Sequence, residues 1–168
     1  MLLVFQIVAT FLVSVAFGLA LAHALEKPGK MRLNEETYLT VQTIYYPGFT
    51  IGGGSEPLAI VTMLVLLLLT PTGTPAFWLT LTAMLSMSAM QLVFWVMTQP
   101  VNRYWLRSQQ LKGLATKFFS ADMKLRPAEV EGEPKDWKVM RDRWEFSHFL
   151  RTTLSAVALL SLLIAIAM

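Results

Sequence analysis

Charge is confined to two stretches of this 168-residue chain, and that confinement limits its folding more than any motif does. The 14 basic and 11 acidic side chains all lie between Glu26 and Glu56 or between Arg103 and Arg151. A charge at mid-bilayer costs roughly 2.5–3.5 kcal/mol on insertion scales, so the other stretches are the ones lipid tolerates. The expected architecture is all-α: a single membrane domain over residues 1–168, with four transmembrane helices. Its spans are about 2–25, 55–70, 76–97 and 152–168, and its loops 26–54 and 98–151.

The first span reaches roughly 36 Å at helical rise, enough to cross with some tilt. A secretory signal peptide fits it poorly, because no basic segment precedes it and the apolar run is too long. Ser55 is the expected N-cap of the second span, with Glu56 and Pro57 in its first turn. Pro71 to Pro75 turns the chain into the third. Every Lys and Arg lies on the side of the two long loops, so the positive-inside rule puts both loops in the cytoplasm and both termini outside. Acids and bases are mixed in those loops, which argues against nucleic acid as a partner. The absence of cysteine excludes disulfides and thiolate chemistry.

Small residues at four-residue spacing, Ser14, Gly18 and Ala22 and again Ser161 and Ala165, are expected to let helices approach closely. Met84, Met87 and Met90 read as packing residues. In the first loop a short helix is expected from Glu35 to Tyr45, capped by Asn34. A turn-rich stretch, Pro47 to Gly54, then folds back against the bundle. Past the third span, Tyr104, Trp105, Leu111, Leu114 and Phe118 recur at helical intervals, extending that span as an interfacial amphipathic helix to about Ala121. Residues 126–134 form a break, and from Asp136 one helix runs into the fourth span. Spans three and four thus carry cytoplasmic helical extensions.

Trp137, Arg141, Trp144, His148 and Arg151 form one stripe on that last helix. An interfacial anchor explains it simply, since Trp and Arg suit the headgroup level. A stripe facing a pocket is the sharper reading. His23, Glu56, Gln99, Asn102 and His148 fall at one membrane level on four different helices, and inward-pointing polar groups at that level are functional by default.

The segment Gly18 to Lys30 (GLALAHALEKPGK), Tyr38 to Gln42 with Tyr45-Tyr46-Pro47, Pro100-Val101-Asn102, and Trp144 with His148 and Arg151 together resemble the anthrone-oxygenase-like family of small four-span membrane proteins. Fungal members oxidise anthrones to anthraquinones with molecular oxygen and no cofactor; most bacterial members have no assigned role. The resemblance implies an oxygenase or related oxidoreductase for an apolar aromatic substrate that partitions into the bilayer. His148 or His23 would be the base, Arg151, Asn102 or Gln99 the oxyanion donors, and Trp144, Trp137 and Tyr45 the stacking surface, with Glu56 nearby. Haem or metal ligation by His23 and His148 is one alternative. An accessory subunit of a larger membrane complex, with membrane-protein partners or a second copy of the chain, is another.

Overall fold

In a computed structural model of the chain, residues 1–45, 48–106 and 136–168 are described, and all their regular structure is helical. Helix α1 spans Leu2–Lys30, α2 Glu35–Gln42 with a 3₁₀ turn over Thr43–Tyr45, and α3 Gly48–Gly53. Helix α4 covers Ser55–Leu69 and α5 Pro75–Val93; a π turn, Phe94–Thr98, leads into α6, Gln99–Leu106, and α7 runs over Trp137–Ala167. Four of these helical stretches are long and apolar enough to cross a membrane: Leu2–Lys30, Gly48–Leu69, Pro75–Trp105 and Trp137–Ala167.

Local chemistry accounts for most helix ends. The Asn34 side chain accepts the Thr37 N–H at 2.9 Å, and Glu35 and Glu36 sit at the positive end of α2. Thr74 accepts the Phe77 N–H at 3.2 Å with Pro75 at the first helical position, while Gly73 takes the left-handed conformation (φ 82°) of the preceding turn. Asp136 caps α7 through the Lys138 N–H at 2.9 Å.

Two expectations are corrected here. Residues 48–53 are helical rather than a turn, and they lead directly into α4. Glycine serves close approach in this segment: a Cβ on Gly52 would lie 2.5 Å from Leu19 Cδ1 of α1. Since a helical turn already precedes it, Ser55 is not an N-cap. Its hydroxyl is buried without a hydrogen-bond partner among the described residues.

The long helices pack in a ring, α1 on α4, α4 on α5, α5 on α7 and α7 back on α1. Ala9, Val13, Ala16 and Ala20 form the buried stripe of α1, continued at the same spacing by His23. Ser14 and Gly18 lie exposed instead, because at about 100° per residue they stand on the opposite side of α1 from that stripe. Ser161 and Ala165 are buried as expected, and Met87 and Met90 fill the core with Met84 packed against it. The expected helix beyond Leu106 and the break at 126–134 lie outside the described residues.

Candidate functional site

Three long helices reach the polar end of the bundle with a histidine, a carboxylate or a guanidinium turned inward. His23 comes from α1, Glu56 from α4, and His148 and Arg151 from α7; all are at most 8% exposed. Together they line a cavity of about 380 Å³, within the roughly 300–1,000 Å³ range of small-molecule sites. Its remaining walls include five aromatic side chains, Tyr45, Phe49, Phe94, Trp95 and Trp144.

Phe94 and Trp95 reach the cavity from the π turn in the third span. A single π turn re-aims the side chains that follow it. Pro100, just beyond, has no N–H to give the Val96 carbonyl one turn back. That carbonyl instead accepts the Arg143 guanidinium at 2.7 Å, tying the irregular segment to α7.

The charged end of the cavity is paired internally. Arg151 Nη2 donates to Glu56 Oε1, and its guanidinium carbon stands 5.4 Å from the centre of the Phe94 ring. With its amide oriented to suit both neighbours, Gln91 donates to Glu56 Oε2 at 2.9 Å and accepts the Trp95 N–H at 3.0 Å. Both Glu56 oxygens are therefore engaged. Such pairing is what makes a buried carboxylate and guanidinium tolerable.

The two histidines lie against each other, with ring centres 4.1 Å apart. Tyr45, Phe49 and Trp144 surround His23 at 4.3, 4.6 and 4.9 Å. Arg151 Nη1 lies 3.4 Å from His148 Nδ1. A guanidinium only donates, so Nδ1 is the acceptor and a neutral His148 ring carries its proton on Nε2. That Nε2 is buried and has no partner among the described residues. His23 Nδ1 faces Glu26 Oε2 at 3.8 Å.

A second buried charge cluster borders Trp144. Lys30 Nζ lies 3.2 Å from Glu145 Oε1 and 4.6 Å from the centre of a Trp144 ring. Tyr38 donates to the same Glu145 oxygen at 2.7 Å. Burial and the neighbouring carboxylate push the Tyr38 phenol up from its ordinary value, so it remains a donor.

Most of the expected site residues thus converge, with two corrections, Gln99 and Trp137. Asn102 lines the cavity; its oxygen accepts the Trp144 Nε1–H at 2.9 Å and so orients that ring, while its nitrogen, 3.5 Å from Gln99, keeps a second N–H to offer. Gln99 is buried but outside the cavity lining. Trp137 lies two turns before Trp144, roughly 10 Å along the helix. It packs under Arg141 and near Tyr38 instead of lining the cavity. The stripe is no surface anchor over Trp144, His148 and Arg151, all of which are buried. Gln91, Trp95 and Glu145 escaped the sequence reading, and Lys30 and Tyr38 entered it only within the segments that carry the family resemblance, with no role assigned. Pro100 inside a span was the available signal for a backbone irregularity beside the site. Among the described residues no three His, Asp or Glu side chains converge as a metal-ligand set.

A family model described as anthrone oxygenase matches residues 42–161, which include α3 to α6 and the polar half of α7. Neither a curated protein nor a solved structure matches the chain.

Proposed function

The chain belongs to the anthrone oxygenase family, and on that premise we propose that it oxidises a flat, apolar aromatic substrate with molecular oxygen, using its own side chains and no bound cofactor. The observation that carries this reading is the aromatic cavity with two histidines packed side by side at its polar end. In this reaction a methylene flanked by aromatic rings and conjugated to a carbonyl reacts with dioxygen to give a ketone and water. The carbon loses four electrons and dioxygen gains them.

The first step needs a base to take a proton from that methylene, leaving a delocalised enolate that reacts with dioxygen. His23 suits the base: Glu26 favours a proton on its Nδ1, which leaves Nε2 as the acceptor. His148 suits the complementary role, because its partnerless Nε2–H is a donor for the enolate oxygen. The proton removed first returns to the peroxide. Loss of the second methylene proton then expels hydroxide, which takes up a proton to become water. Tyr45, Phe49 and Trp144 supply ring faces for a planar substrate. Arg151, already paired with Glu56, sets the tautomer of His148.

Substrates of this class dissolve in the bilayer, which suits a cavity built within a membrane bundle. The distribution of Lys and Arg argues that both long loops are cytoplasmic. Oxygen uptake by purified protein in micelles containing a tricyclic aryl ketone with a benzylic methylene tests the reading. His23→Ala should slow turnover by about 10²–10⁴-fold and His148→Ala by about 10²–10³-fold relative to wild type, once the spontaneous rate is subtracted. Wild-type activity in both variants would refute the assignment. An accessory subunit, the competing reading, predicts no uptake by the isolated protein.

A further inference from the structure

One oxygen of Glu26 is held where three groups meet. Oε2 accepts the Tyr45 hydroxyl at 2.5 Å, lies 3.6 Å from Lys30 Nζ, and faces His23 Nδ1 at 3.8 Å. The carboxylate is nevertheless at the rim: its side chain is 44% exposed, against 6% for His23. His23 and Glu26 are three residues apart on α1, so the helix itself fixes them on one face. Lys30 is fixed in turn by Glu145. The other carboxylate at the site, Glu56, is buried and engaged by Arg151 and Gln91, and so is not offered to either imidazole.

We propose that Glu26 is a positioning residue for His23: its pinned oxygen keeps the imidazole in the Nδ1–H form and steadies the imidazolium formed when Nε2 accepts a proton. The inference rests on the oxidative reading above for its chemistry, but the geometry stands without it. At 3.8 Å no hydrogen bond is formed, and His23 Nδ1 is buried without a hydrogen-bond partner among the described residues; catalytic hydrogen bonds commonly tighten when substrate binds. In the proton step, the substrate C–H bond breaks, its electron pair stays on the carbon, and a new N–H bond forms at His23 Nε2. The Nδ1 proton stays on the ring, drawn toward Glu26. No other atom changes partners.

The chain has two histidines, so ¹⁵N-histidine labelling reports two imidazoles and nothing else. His23 is identified by its loss in His23→Asn. In wild-type protein in micelles, the ¹⁵N shifts of His23 should show the Nδ1–H tautomer, and Glu26→Ala should move it toward the Nε2–H form that a free imidazole prefers. Glu26→Gln, nearly isosteric, guards against loss of the fold and should weaken the Nδ1–H preference. If wild-type His23 is already Nε2–H, or neither substitution changes it, the proposal is overturned. In oxygen uptake, Glu26→Ala should lower kcat at least about tenfold with KM little changed, and added formate should restore part of the loss at this exposed position. An unchanged kcat would overturn the positioning role while leaving the oxidative reading intact. A Glu26-dependent tautomer in a protein with no oxygen uptake would refute the oxidative reading and leave the pair standing.

Discussion

Removing the charge of Glu145 should destabilise the bundle far more than removing the whole Lys30–Glu145 pair. The two groups are 3% and 1% exposed and 3.2 Å apart. Breaking a buried pair from one side strands the other charge and costs roughly 3–5 kcal/mol. In Glu145→Gln, Lys30 keeps Glu26 at 3.6 Å, and that partner is partly solvated. The expected loss is therefore at the lower end, about 3 kcal/mol, or roughly a hundredfold in the folding equilibrium. Lys30→Met strands Glu145 with, among the described residues, only the Tyr38 hydroxyl as a partner and should cost at least as much. The double variant Lys30→Met with Glu145→Leu leaves no buried charge from the pair and should cost less than either single change. Unfolding by SDS in mixed micelles, followed by tryptophan fluorescence, measures all three. Single changes costing under about 1 kcal/mol, or a double variant as unstable as the sum, would refute this account.

Asn102→Ala removes the acceptor of the Trp144 indole N–H and should cost about 1–3 kcal/mol, with a lower kcat if Trp144 is the ring surface for substrate; unfolding and oxygen uptake on the same preparation check both. Gly52→Leu should push Leu19 into the cavity it lines and raise KM for bulky substrates more than for small ones, read from initial rates across a size series. Because the chain has no cysteine, Glu35→Cys and Thr72→Cys can each be labelled alone in oriented membranes. An impermeant maleimide should reach them from opposite sides, and labelling from the same side would refute the topology.

The fold was largely legible because one rule decided it: charge does not sit in lipid. That rule separated the apolar runs, and capping chemistry marked the start of α2 at Asn34, though it failed at Ser55, where a helical turn already precedes α4. The rule is silent on which way a charge at a helix end points. Lys30 and Glu145 fall in the expected loop segments 26–54 and 98–151, yet both turn into the bundle, where each has the other as its partner. Pattern also failed where two small-residue spacings compete on one helix. The Ala9, Val13, Ala16, Ala20 face won over Ser14 and Gly18, a choice made by the neighbouring helices rather than by α1. At the site, membrane level predicted that His23, Glu56, Gln99, Asn102 and His148 would meet, and all but Gln99 line one cavity. It did not distinguish Asn102, which orients an indole, from the histidines, because hydrogen-bond partners are set by side-chain direction and not by depth.

The central claim is that this cavity carries out oxygen insertion at an activated methylene, and isotope transfer from labelled dioxygen tests it most directly. Under ¹⁸O₂, purified protein and a tricyclic aryl ketone with a benzylic methylene should yield product with one labelled carbonyl oxygen, at one dioxygen consumed per ketone formed. The excess over the spontaneous reaction should vanish when His23 and His148 are both replaced by Ala. Product formation no faster than in protein-free micelles, or a rate the double replacement leaves unchanged, would contradict it.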